Sequence, residues 1–246
     1  MNKDRSIRGR KYVTSDLSGR LQMFETDASP LNTELKNGDF LFVCGDFGFI
    51  WNPDSYFEKC YLDIIQSKPF VTCFIDGNHE NFNVLEEYPV EMWNGGRVHV
   101  IRRDSNNIPK IIHLMRGEYY DIEGDTFFTF GGGNSSDKSC RIENETWWKQ
   151  EMPTREEMQH GLRTLEKHKW KCDYILTHAL PEGLMETGFK RDDVGEKPLN
   201  IYLEKIRKKT DYKHWYSGHL HINRNLSMKN TILHMKIRNM KSNQIL

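Results

Sequence analysis

A chain of 246 residues with 35 basic and 35 acidic side chains has no bulk field to draw it to nucleic acid or an anionic membrane. Its length fits one large α/β domain or two small ones, and nothing in its composition suggests a disordered or fibrous chain. The five cysteines stand far apart without a C-x-x-C pair, which argues against a disulfide framework or a cysteine zinc site and for a reducing compartment. The start, Met1 to Arg10, is charged and lacks the apolar segment of a signal peptide, and no apolar run approaches the roughly 18 residues of a membrane span. The expectation is a cytoplasmic protein without a membrane partner.

In chain order, the first β-rich run, Tyr12-Val13-Thr14, leads into Asp16-Leu17-Ser18, and the run from Phe40 to Cys44 ends on Gly45-Asp46-x-Gly48. Tyr56, Phe57, Cys60, Tyr61 and Ile64 recur at helical spacing and predict a helix within Asp54 to Gln66. The run from Phe70 to Ile75 delivers Gly77-Asn78-His79-Glu80, and a short helix opens after it, from Asn81 to Glu87. From about Arg97 to Phe130 the chain reads as consecutive strands (Val98 to Ile101, Ile111 to Leu114, Tyr119 to Ile122, Thr126 to Phe130) and is expected to form a second sheet. Residues 131–153 are a glycine- and polar-rich insertion, after which Thr154-x-x-Glu157 starts a helix with a capping box. The run from Asp173 to Thr177 ends on His178, a helix follows from Leu199 to Lys208, and the run from Lys213 to Ser217 ends on Gly218-His219-Leu220-His221. No repeat or linker divides the chain, so residues 1–246 are expected to form a single domain with 131–153 as an insertion loop.

Strand, helix, strand order implies an α/β fold, and each motif stands where a strand ends, on loops held by a rigid scaffold. In this order the motifs offer carboxylate, amide and imidazole ligands to two adjacent divalent metals, which can hold both the attacking and the departing oxygen in displacement at phosphorus. Asp46 is the candidate bridge between them, since Gly45 and Gly48 permit close backbone approach; a lone Gly-Asp pair is usually only a turn. The string Gly77-Asn78-His79-Glu80 is far more specific: Asn78 offers a neutral oxygen, and His79 can protonate a leaving group. Alternation along an extended segment puts His219 and His221 on one side, able to serve two adjacent metals. His178 takes its weight from this company. The remaining histidines, His99, His113, His160, His168, His214 and His234, fall on strand interiors or helix faces and are given no role. Gly131-Gly-Gly-Asn134 fits neither a dinucleotide nor a P-loop fingerprint and reads as a turn near the site. Trp147-Trp148 reads first as core, and otherwise as a wall on which a base or aryl group stacks.

The ordered set resembles the calcineurin-like metallophosphoesterase superfamily, whose pattern is D-x-H, G-D-x-x, G-N-H-[ED], H and G-H-x-H, over Lys11 to about Asn223. The resemblance implies a two-sheet αββα sandwich with the metals at the strand C-terminal ends. It places Asp16, Asp46 and His221 on one metal and Asp46, Asn78, His178 and His219 on the other, with His79 as general acid and Arg20 as a contact to the substrate phosphate. Manganese is the first choice for mixed oxygen and nitrogen ligation, with iron, zinc or nickel as substitutes. The implied reaction is hydrolysis of a phosphomonoester or phosphodiester, a nucleotide among the candidate substrates, by in-line attack of a metal-bridging hydroxide. One position departs from the pattern: Ser18 stands where it has a histidine, and a neutral hydroxyl is a poor ligand, so the first metal is expected to bind more loosely. Phe49 also departs from the tyrosine that purple acid phosphatases use in compensation. The alternatives are a catalytically degenerate binding or scaffold protein of the same fold, which Ser18 favours, and a nuclease of that fold.

Overall fold

Runs of β-branched and aromatic residues form short strands, joined by amphipathic helices, in a computed structural model that describes residues 8–185 and 194–246. Most of the charged start, Met1 to Arg10, lies outside the described residues. The chain begins β1 (Lys11–Thr14), α1 (Gln22–Glu25), α2 (Pro30–Thr33), β2 (Phe40–Cys44), α3 (Tyr56–Gln66), β3 (Val71–Ile75) and α4 (Phe82–Glu87). It continues β4 (Val90–Trp93), β5 (Gly96–Arg103), β6 (Pro109–Leu114), β7 (Glu118–Ile122) and β8 (Asp125–Phe130). Two 3-10 turns, Lys138–Cys140 and Lys149–Glu151, lie within residues 131–153. The remainder is α5 (Arg155–Lys167), β9 (Tyr174–Thr177), α6 (Glu182–Met185), α7 (Lys197–Lys209), β10 (His214–Ser217), β11 (Arg224–Ser227), β12 (Asn230–Ile232) and β13 (Arg238–Asn239). Helix starts follow the capping chemistry. Ser55 accepts from the Glu58 N–H at the head of α3, and Thr154 and Glu157 make both reciprocal bonds of the capping box at the head of α5.

The strands form a seven-stranded sheet, β13-β1-β2-β3-β6-β5-β4, and a six-stranded sheet, β11-β12-β10-β9-β8-β7. In the first, β1, β2, β3 and β6 are parallel; in the second, β8, β9, β10 and β12 are. The consecutive strands of the middle therefore do not make a sheet of their own. β5 and β6 complete the first sheet, where Ile111 pairs with Thr72, while β7 and β8 open the second. The chain changes sheet through Gly117, which takes a φ of +75° and donates its N–H to the Thr129 carbonyl at 2.8 Å. Alternation along a strand fixes which side chains share a face, but not which strand pairs with it.

Strand β2 shows how the layers form. Leu41 and Val43 join Phe24, Leu31, Leu62 and Ile65 of α1 to α3, whereas Phe40, Phe42 and Cys44 join Tyr120, Phe127, Leu176 and Tyr216 of the other sheet. Phe42 stacks on Phe127 between the sheets at 4.7 Å. On the far side, Phe128, Phe130, Ile175 and Trp215 pack with Leu165 of α5 and Leu199, Leu203 and Ile206 of α7. The result is the αββα sandwich that the resemblance implies. Among the described residues no helix is long and apolar enough to cross a membrane.

Candidate metal centre

Because the central strands of each sheet are parallel, their C-terminal ends gather at one edge of the sandwich, and the loops there bond to one another. The Asp16 N–H donates to the Gly45 carbonyl at 3.1 Å and the Ser18 N–H to that of Asp46 at 2.8 Å, which ties the loop after β1 to the loop after β2. In the other sheet the Gly218 N–H donates to the His178 carbonyl at 3.1 Å, and across the sandwich the His219 N–H donates to Asp16 Oδ1 at 3.1 Å. Asp16, Asp46, His219 and His221 all adopt left-handed backbone, with φ of 56°, 52°, 69° and 52°. Such residues cost about 1 kcal/mol or more each outside glycine and collect where a site dictates the geometry. The glycines preceding Asp46 and Asn78 are sterically required. A Cβ on Gly45 would lie 2.2 Å from His178 Nδ1, and one on Gly77 would lie 2.0 Å from Asp46 Oδ1.

Asp16, Asp46 and His178 are buried, and one donor atom from each lies within 4.8 Å of the others. His178 Nδ1 donates to the Cys44 carbonyl at 2.8 Å, so Nε2 is the nitrogen that faces Asn78 Oδ1 at 3.0 Å and Asp46 Oδ1 at 3.4 Å. Burial opposes a charge on His178, yet Asp46 and then Asp16 hold its pKa above the ordinary imidazole value. Burial likewise works to raise Asp16, but a hydrogen bond from His221 and the charge of His178 keep it below the ordinary carboxylate value. A buried place lined by two carboxylates that stabilises a positive imidazole is one that a divalent cation fits, and its oxygen and nitrogen donors suit a first-row metal or magnesium-like ion. Asn78 presents Oδ1 inward because its Nδ2 donates to Ser135 Oγ at 2.9 Å, and Ser135 Oγ donates to Glu151 Oε2 at 2.6 Å.

The other candidates are placed less uniformly. His221 is exposed, with Nε2 3.5 Å from Asp16 Oδ1. His219 is buried, its ring centroid 4.8 Å from that of His178, and its Nε2 meets Glu196 Oε1 at 3.0 Å. His79 is half-buried; its backbone N–H donates to Asp46 Oδ1 at 2.9 Å, and burial first of all lowers its pKa. Ser18 is exposed, as is Arg20, whose guanidinium lies against the Met235 thioether. Gly133 closes the side of the site, since a Cβ there would lie 3.2 Å to 3.4 Å from His178, His219 and Asn78. Trp148 is core, edge-on to Trp51 at 5.1 Å, while Trp147 is partly exposed with Lys138 over its ring.

Sequence reasoning passed over several groups that shape this centre. Glu80, within a motif, accepts from the backbone N–H groups of Phe47 at 2.7 Å and Gly48 at 3.4 Å and so fixes the Asp46 loop. Glu151, Ser135 and Glu196 lie in polar segments whose pattern carries no signal of burial. His234 is not in a strand interior: β12 ends at Ile232, and the His234 ring stacks on His221 at 4.7 Å. Behind the Asn78 loop, Asp76 is buried against Arg116 Nη2 at 2.6 Å and His113 Nε2 at 3.3 Å. Burial would raise Asp76, but Arg116 foremost, with His113, holds it well below the usual carboxylate range. A carboxyl depressed in the folded state stabilises the protein above its unfolded value of about 3.9, and that contribution disappears as pH falls through the folded value. Asp76→Asn is therefore expected to lower stability at neutral pH and to flatten its decline below about pH 4, as read from urea unfolding across the acid range.

Several known proteins are similar to this chain. The lariat debranching enzyme of Drosophila melanogaster is 24% identical over 213 residues, covering 74% of this chain and 37% of that protein. That of Schizosaccharomyces pombe is 25% identical over 222 residues, covering 76% of this chain and 44% of that protein. The chain thus spans less than half the length of these curated relatives. The crystal structure of TT1561 from Thermus thermophilus superposes with a TM-score of 0.59 over 98% of both chains at 11% identity, a likeness of fold. The family model described as calcineurin-like phosphoesterase matches residues 10–223, and with that match over most of its length the chain belongs to the calcineurin-like phosphoesterase family.

Proposed function

We propose that this protein is a metal-dependent phosphoesterase working with two divalent ions, manganese first among them and iron, zinc or nickel as substitutes. The observation that carries the reading is the convergence of Asp16, Asp46 and His178, from three strand ends in two sheets, on one buried place within 4.8 Å. Asp16, Asp46 and His221 would hold one ion, and Asp46, Asn78, His178 and His219 the other. When bound, the ions supply Lewis acidity that activates water and neutralises charge on the phosphoryl oxygens. His79, half-buried and hooked to Asp46 through its backbone, gives a proton to the departing oxygen. Arg20, exposed a few residues after Asp16, meets the phosphate. The whole chain acts as one domain in a reducing, cytoplasmic setting, and residues 131–153 shape the substrate side of the site.

Ser18 favours the second reading, a binding protein that has lost turnover. One experiment separates the two: the protein is stripped with chelator, reloaded with manganese, and assayed on an aryl phosphodiester and the matching monoester. A branched oligonucleotide is added as substrate because the curated relatives are named lariat debranching enzymes. The enzyme reading expects turnover that requires added metal and prefers one ester class. A folded protein inert on all three substrates with every metal would establish the binding protein instead.

A further inference from the structure

Ser18 cannot supply an imidazole to Asp16, but a second imidazole reaches the same place from elsewhere in the chain. One donor atom each from Asp16, His221 and His234 lies within 4.8 Å of the others. The segment after β12 is tied to both sheets: the Leu233 N–H donates to the Ser217 carbonyl at 2.8 Å, and the Met235 N–H to that of Ser15 at 2.9 Å. Residue 234 is thereby bracketed between the ends of β10 and β1. Asn223, two residues beyond His221, grips the same backbone on both sides, accepting from the His234 N–H at 3.0 Å and donating to its carbonyl at 2.8 Å. The His234 ring stacks on His221 at a 29° interplanar angle, and its Nδ1 is shielded from solvent with no hydrogen-bond partner among the described residues. A buried polar nitrogen left without a partner is costly, and coordination of a cation removes that cost.

We infer that His234 is a ligand of the metal held by Asp16 and His221, supplying the imidazole that Ser18 does not. The inference rests on the two-metal reading above. It replaces a ligand two residues from Asp16 in sequence with one that arrives from the opposite end of the chain, held in place by the Asn223 clamp. The first metal site is then complete in ligand type.

The test is metal stoichiometry and affinity, by elemental analysis after desalting and by manganese titration calorimetry. His234→Phe keeps a ring to stack on His221 but has no nitrogen to ligate. It is expected to weaken one of the two manganese equivalents by about 100-fold while leaving the other unchanged, and adding Ser18→His to that variant is expected to restore it. His234→Phe binding both equivalents with wild-type affinity would overturn the assignment. A wild type that takes up no metal would instead remove the two-metal reading, and this inference with it. Carbethoxylation of the unaltered protein gives a readout independent of folding in the variants. Manganese should protect His234, and equal modification with and without the metal would again overturn the assignment.

Discussion

Replacing Asp46 with alanine is expected to reduce metal-dependent hydrolysis by on the order of a thousand-fold or more, the largest effect of any single substitution in the centre. Three consequences follow from one side chain. Asp46 Oδ1 faces His178 Nε2 at 3.4 Å, so its loss removes the carboxylate that the proposed reading places between the two ions. The same oxygen accepts from the His79 N–H at 2.9 Å, so the loop that carries Asn78 and His79 loses its anchor. Asp46 is also the first charge that holds His178 above its ordinary pKa despite burial, so the imidazole becomes easier to deprotonate without it. The measurement is kcat/KM on the best ester together with bound manganese per chain. Both should collapse in the variant, while a thermal melt in chelator shows that the fold survives.

His79→Ala is expected to act differently. Its backbone anchor remains and it is not among the groups that surround the buried place, so manganese content should stay at the wild-type level. The loss should depend on the leaving group. An ester whose departing oxygen needs a proton should slow by about 10²- to 10⁴-fold, the range for a positioned general acid, while an aryl ester with a good leaving group should lose much less. A series of esters spanning leaving-group pKa supplies the check: the variant should show the steeper dependence. Equal losses across the series would assign His79 to binding or structure.

The difference between these two residues also marks how much of the molecule was legible in its sequence. The strand-end motifs could be read because their constraint is local. The residue before Asp46 and the residue before Asn78 each need to lack a Cβ, and the structure puts His178 and Asp46 where that Cβ would be. The α/β order and the starts of α3 and α5 were legible for the same reason, since capping residues lie within a few positions of the helices they begin. Pairing across the sandwich was not. Ile112 and Tyr120 both read as strand residues, but whether each joins the first or the second sheet is decided by long-range packing around Phe42 and Phe127. Glu151, Glu196 and His234 belong to the same class. Each lies in a segment whose own pattern is polar or irregular; Glu151 accepts from Ser135, Glu196 pairs with His219, and Asn223 holds the His234 backbone. His234 illustrates the cost of reading motifs one position at a time: a ligand lost at Ser18 need not be replaced in the motif that lost it.

The most direct measurement is diffraction from manganese-soaked crystals with data collected at the metal's absorption edge. Two anomalous peaks about 3.5–4 Å apart are expected, both touching Asp46, one beside Asp16 and His221 and the other beside Asn78, His178 and His219. No peak at this edge of the sandwich, or a single peak away from Asp46, would contradict a two-metal phosphoesterase.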